Sequence, residues 1–217
     1  MTQDFDAKAP APPAPGQPCG SIVLARHGRP DIDKSRRLDS QGYYRWWQSY
    51  DASGLDAGAS PPAALVAEAA RAHHIFASPL RRSYETAAAV AGHVKVIRDP
   101  VFTEAALPPP PFPSFIRMRP PLWDVFSRGL WWLGYSGGFE SRAQAETRAF
   151  AAVERIDPLA RNGDNVLVCA HGWFNRMMRP ALVANGWNCV YDGRDDYWSF
   201  RRYQRAAGYT MQTPEPS

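Results

Sequence analysis

At 217 residues the chain is long enough for one substantial core, and 45% hydrophobic with 21% charged residues is ordinary for a globular protein. The net charge of +4 is spread without a basic block, which argues against a nucleic-acid track, and no apolar run nears the roughly 18 residues of a membrane helix. The three cysteines, Cys19, Cys169 and Cys189, lack disulfide or metal spacing, which argues against a disulfide scaffold and fits a reducing, cytoplasmic setting.

Residues 1–18 are rich in Ala and Pro and predict an extended arm that builds no core. With acidic residues, one lysine and no apolar stretch, they do not read as a secretory signal. A single domain is expected over 19–210, followed by a polar tail over 211–217. The first strand spans 21–26 and runs into His27-Gly28. After a polar turn at 28–37, Asp39 or Ser40 caps an aromatic-rich helix through Tyr43, Tyr44, Trp46 and Trp47. Ser60-Pro61 reads as a serine cap with proline in the first turn of a helix through Leu65, Val66 and Ala69. His74 to Ala77 is a short strand. Ser78-Pro79 repeats the cap-plus-proline start, for a helix to about Gly92. Val94 to Ile97 is a third strand, ended by Asp99-Pro100.

Residues 105–138 form an insertion unlike their surroundings, with four consecutive prolines from Pro108 and then Phe112, Phe115, Trp123, Phe126, Trp131, Trp132 and Tyr135. A helix is expected over about 140–156 and a fourth strand over 166–170, running into His171-Gly172. A helix from Gly172 to about Ala184 follows, with a kink at Pro180 and a stop at Asn185-Gly186. A last strand lies near Trp198 to Tyr203. Alternating strands and helices predict an α/β, three-layer sandwich: a mostly parallel sheet with helices on both faces.

Ligands of such sheets bind beyond the carboxyl ends of the strands. Two strands place a histidine there, in a chain with five histidines. Arg26 precedes His27, and Gly28 is read as giving a sharp turn and room for a ligand. Arg81 and Arg82 sit in the first turn of a helix, where positive charge opposes the dipole. A bound anion reverses that cost, because helix end and guanidinium then both favour it. Glu104 lies just past the third strand. Lysine occurs only at Lys8, Lys34 and Lys95, and the arginine bias suits bidentate phosphate or carboxylate binding.

Arg26-His27-Gly28, Leu38-Asp39-Ser40-Gln41-Gly42, Arg82 ahead of Thr86-Ala87, Glu104 and His171-Gly172 follow one another in an order that resembles the histidine phosphatase superfamily, also called phosphoglycerate mutase-like. The resemblance spans about 21–203. It implies that His27 is the nucleophile, forming a phosphohistidine. It implies that Arg26, Arg82, His171 and Gly28 hold the phosphoryl oxygens, and that Glu104 protonates the leaving oxygen. No metal and no cofactor are implied. Phosphoryl transfer needs in-line positioning and donors for the equatorial oxygens, which two guanidiniums and an imidazole provide. Neighbouring arginines should keep His27 neutral and able to attack.

Two departures bear on activity. Where the family commonly has Thr or Ser shortly after Arg-His-Gly, this chain has Arg29-Pro30, and the asparagine-bearing continuation of the mutase branch is absent. Both favour a phosphatase of a small-molecule phosphate ester. A mutase-type phosphotransferase, a protein phosphohistidine phosphatase and a non-catalytic phosphate-binding scaffold are the alternatives. Arg29 and Arg81 read as solvated charges, and His73, His74 and His93 as helix-end or loop residues without metal-ligand spacing. The 105–138 insertion has two readings, a layer packed on the sheet or a cap that selects an apolar or aromatic substrate through Phe112 and Phe115.

Overall fold

The computed structural model describes residues 19–205. The arm expected over 1–18, the domain end near 210 and the tail over 211–217 lie outside the described residues. In chain order the elements are β1 (Ile22–Arg26), α1 (Ser40–Ala52), α2 (Ala63–Ala69), β2 (His74–Ala77), α3 (Arg81–Val90) and β3 (Val96–Arg98). A 3-10 turn (Pro100–Phe102) leads to α4 (Pro120–Trp132), α5 (Arg142–Arg161), β4 (Val166–Ala170), α6 (Gly172–Ala184), β5 (Trp187–Asp192) and β6 (Phe200–Arg205). The strands form one sheet in the order β3-β2-β4-β1-β6-β5. The first four strands pair in parallel, whereas β6 runs antiparallel to β1 and β5 antiparallel to β6.

This is the three-layer α/β architecture expected from the alternation. Successive side chains of a strand point to opposite faces. Ile22, Leu24, Phe76, Val166 and Val168 therefore pack against α5 and α6, while Val23, Ala25, Ile75, Leu167 and Cys169 pack against α2 and α3. Burial on both faces is why β1 and β4 read as unbroken apolar runs.

Local chemistry places the helix ends, with corrections to the expectations. Asp39 caps α1 by accepting from the Gly42 N–H at 2.7 Å. Ser60 does not cap α2, which opens at Ala63 after Pro62, and Ser78 does not cap α3, which opens at Arg81 after Leu80. The residue before a proline is driven out of the helical region, so Pro61-Pro62 delays α2. Ser78 Oγ instead accepts from the Leu80 N–H at 3.3 Å. β3 lies at 96–98 rather than 94–97. α5 starts on a Ser141/Gln144 capping box and continues through Pro158. Gly186, at φ 81°, ends α6 as expected.

Two elements had not been foreseen. β5 has five exposed residues of six, because it is an edge strand paired only to β6. α4 lies inside the insertion, opened by Pro120 with no side-chain cap. Among the described residues no helix is long and apolar enough to cross a membrane.

Candidate active site

The parallel register places Arg26 opposite Ala170, so the next residues, His27 and His171, leave the same sheet edge side by side. Their rings lie 5.2 Å apart at 61°. Arg82, the second residue of α3, reaches the same point. Its Nε donates to His27 Nε2 at 3.3 Å, its Nη1 to the Tyr50 carbonyl at 2.8 Å, and its Nη2 to Asp51 at 3.2 Å. Arg26, His27, Arg82 and Glu104 line one cavity of about 540 Å³. Four candidates drawn from three separate stretches of chain thus share one chamber, with the His171 ring, from a fourth stretch, against His27.

The tautomer of His27 follows from its partners. Nδ1 lies 2.7 Å from the Gly28 carbonyl, which only accepts, so Nδ1 carries the proton. Nε2 is then a lone pair facing Arg82. Burial first, then the Arg82 charge, hold His27 well below the ordinary imidazole range. His171 is lowered by the same two causes in the same order. Both ring nitrogens of His171, and Nε of Arg26, are buried with no hydrogen-bond partner among the described residues. Buried polar groups are almost always satisfied, so these atoms are exceptions, and the His171 pair lies on the ring that packs against His27.

Glu104 follows the 3-10 turn and crosses to α6. Its Oε1 accepts from the Phe174 N–H at 2.9 Å and from its neighbour Ala105 at 3.0 Å. His171 gives α6 no side-chain cap; Glu104 satisfies one of the free amides at that helix start instead.

Gly28 serves differently from the expectation. Its N–H donates to Thr86 Oγ1 at 2.8 Å and so is engaged. A Cβ at this position would lie 2.3 Å from the Trp198 indole. The glycine makes room for that ring, and its φ is not in the left-handed region. Trp198 itself sits at φ 64°, a conformation of order 1–3 kcal/mol for a bulky residue. Its N–H donates to the His27 carbonyl at 3.3 Å. The turn aims Tyr197 at the site, 5.6 Å from the His27 ring and 4.4 Å beneath the Arg26 guanidinium. Arg29 is solvated and pairs loosely with Asp56, and Arg81 pairs with Glu85 at the surface.

Several cavity residues escaped the sequence reading. Lys34 donates to Tyr197 Oη at 2.5 Å and lies over the Tyr50 and Tyr197 rings. Tyr50 Oη stands 3.5 Å from His27 Nε2. Asp51 is pushed up by burial against the pull of Arg82. Arg128 of α4 sits between the Trp131 and Trp173 rings and donates to the Ala106 carbonyl at 3.2 Å. The available signal was the spacing of Tyr43, Trp46 and Tyr50, one face of a helix. Among the described residues no group of three or more His, Cys, Asp or Glu is placed to hold a metal.

Comparison with known proteins identifies the family and the fold. Residues 22–190 match the model of the histidine phosphatase superfamily (branch 1). Phosphoglycerate mutase-like protein 4 of Arabidopsis thaliana is 28% identical over 160 residues, covering 70% of this chain and 66%, just under two thirds, of the relative. The fold is similar to that of a mycobacterial glucosyl-3-phosphoglycerate phosphatase complexed with VO3 (20% identity, 84% of this chain and 92% of that one, TM-score 0.55). It is also similar to the phosphoglycerate mutase of Bacillus anthracis (16% identity, 87% and 90% coverage, TM-score 0.53) and to the ecdysone phosphate phosphatase of Bombix mori (16% identity, 91% and 97% coverage, TM-score 0.51). A strand-end histidine pair of this kind, matched over most of its length by one family, makes the chain a member of the histidine phosphatase superfamily, branch 1.

Proposed function

We propose that the protein hydrolyses a small-molecule phosphomonoester without a metal, through a phosphohistidine on His27. The observation that carries this reading is the pinned tautomer: Nδ1–H held by the Gly28 carbonyl, which leaves Nε2 a lone pair that accepts from Arg82 Nε. Nε2 attacks phosphorus in line and the phosphorus–oxygen ester bond breaks. The leaving oxygen takes the proton of Glu104. Water then attacks the phosphohistidine, giving its proton to the Glu104 carboxylate and releasing phosphate and neutral His27. Arg82 Nε, which now donates to His27 Nε2, turns to a phosphoryl oxygen. Arg26 Nε and His171, buried and unpartnered, complete the donors. The guanidiniums supply the charge that stabilises the transition state. The Arg29-Pro30 continuation supports hydrolysis over mutase transfer. The described cysteines are free, which supports a cytoplasmic setting.

The test is labelling. Incubation with a ³²P-phosphomonoester should give acid-labile label on the wild-type chain and none on His27→Ala. Phosphorus NMR should show inorganic phosphate as product. A transferred phosphoryl group would select the mutase alternative. No turnover and no label on a broad panel, with vanadate still bound, would leave a phosphate-binding protein.

A further inference from the structure

The cavity is larger than a phosphate group needs, and most of its exposed wall is apolar. Beyond the phosphate cup that apolar wall is made by Trp46, Trp47, Leu107, Val125, Trp132 and Trp173, with charged side chains set between them. At about 540 Å³ it falls in the range that encloses a drug-sized molecule. Resting on the phosphatase reading above, we propose that the substrate is the phosphomonoester of a predominantly apolar alcohol, aromatic or long-chain, whose apolar part leaves the cup along α4.

The charged groups of the cavity each have a partner within the protein. Asp51 holds Arg82, Asp124 accepts from Tyr43 Oη at 2.7 Å, and Glu104 caps α6. Asp195 pairs with Arg176 and Arg201, and Lys34 is bonded to Tyr197. A sugar or polyol would have to share these groups with their present partners to replace its lost water. An apolar alcohol needs only surface.

That surface is rigid and continuous with the outside. Trp46 and Tyr50 of the wall are backed by the buried Tyr43 and Trp123 in one stack, with centroids 5.3–5.8 Å apart and planes within 17°. Trp132 meets Trp173 edge to face at 6.3 Å. Along α4, Leu122, Val125, Gly129 and Trp132 follow one another at spacings of three and four, one face of the helix. Val125, Gly129 and Trp132 line the cavity, and the stripe runs on to Leu122 and Leu133, both exposed. A Cβ on Gly129 would meet nothing within 4 Å, so the glycine leaves a shallow groove in the stripe. Exposed contiguous apolar surface marks a binding site. Its continuity with the chamber of His27 identifies the occupant as the substrate. Phe112 and Phe115, expected to select the substrate, do not line the cavity. Phe112 packs on Trp123 and Phe126, and Phe115 is 81% exposed.

The experiment uses a series of n-alkylphosphonates, methyl to decyl, displacing vanadate from the full chain, with kcat/KM for the matching alkyl phosphates. Affinity should rise with each methylene, up to about fourfold per group, the equivalent of ~0.8 kcal/mol per buried methylene, until the chain passes α4. Gly129→Leu and Trp132→Ala should both flatten that slope, with far-UV dichroism confirming that each folds. A flat slope in the wild type, or glycerol and glucose phosphates cleaved in preference to alkyl phosphates, would overturn the apolar class. Phosphonates bind without being hydrolysed, so the two readings fail separately. A flat slope with brisk turnover removes the apolar class alone. A steep slope with no ester cleaved removes the phosphatase reading alone.

Discussion

His27 and His171 end two neighbouring strands in the same way, each followed by glycine, yet they are held in opposite fashions. His27 is bonded at both ring nitrogens, to the Gly28 carbonyl and to Arg82. His171 is equally buried and bonded at neither, among the described residues. The motif places a ring at the sheet edge; the partners decide what the ring does. A pinned Nδ1–H leaves one directed lone pair, the requirement of a nucleophile. An unpartnered imidazole costs about 1–3 kcal/mol when buried, and in the proposed reaction an arriving oxyanion relieves that cost. Catalysis by preorganised donors depends on such differential interaction.

The largest break in the comparison is His27→Ala. Turnover should fall on the order of 10⁴-fold or more, and covalent label should vanish, as read by steady-state kinetics and acid-quench labelling. Residual turnover within tenfold of wild type would move the nucleophile elsewhere. Glu104→Gln comes next. Gln keeps an oxygen for the Phe174 N–H, so the cap on α6 survives while the transferable proton is lost. Alkyl phosphates should slow by ~10²–10⁴-fold, and 4-nitrophenyl phosphate, whose leaving group needs no proton, by much less. Equal losses on both esters would reduce Glu104 to a cap.

Much of this was legible in the sequence. β1 and β4 were plain because burial on both faces leaves no polar residue to blur the run. His27, His171 and Arg82 stood out because each broke a local habit: an imidazole at a strand end, a cation in the first turn of α3. What stayed hidden depends on tertiary neighbours. Asp51 shows nothing in sequence that sets it against Arg82, and nothing in sequence sets Tyr197, next to the positive φ of Trp198, against His27. β5 was invisible because an exposed edge strand carries no hydrophobic alternation. α4 was masked by the surrounding prolines, and with it the division of the insertion, in which Trp123 and Trp131 are core while Val125 and Trp132 face the cavity. Phe112 and Phe115 looked like substrate contacts because composition reports aromatic area and not its direction.

His171→Leu sharpens the contrast. Activity should fall by about 10²-fold, the loss typical of one oxyanion donor. Stability should hold or rise by up to ~1 kcal/mol, because an unsatisfied polar ring is exchanged for apolar volume. The same change at His27 should destabilise by ~1–3 kcal/mol, since it strands the Gly28 carbonyl and an Arg82 donor. Urea midpoints of the two variants decide the matter. Equal destabilisation would mean that His171 has a partner in solution.

The smallest effect is on the pH dependence of stability. Burial lowers both histidines in the folded state, while in the unfolded chain they titrate near the ordinary 6.5. Below that value the unfolded chain binds protons that the native protein refuses. Stability is therefore full above pH 6.5 and is lost as pH falls toward the folded-state values. The limiting slope is about 1.4 kcal/mol per pH unit for each ring. Between pH 6.5 and 5 most carboxylates remain ionised, so the histidines dominate this window. Denaturation of wild type and His171→Leu across it should differ by the share of one ring, with the variant less sensitive to acid. Parallel curves would show that His171 takes up its proton in the folded protein as readily as in the unfolded chain. A ring that charges freely would already be a donor before any phosphate arrived, and the division of labour between the two histidines would have to be assigned to charge rather than to hydrogen-bond partners.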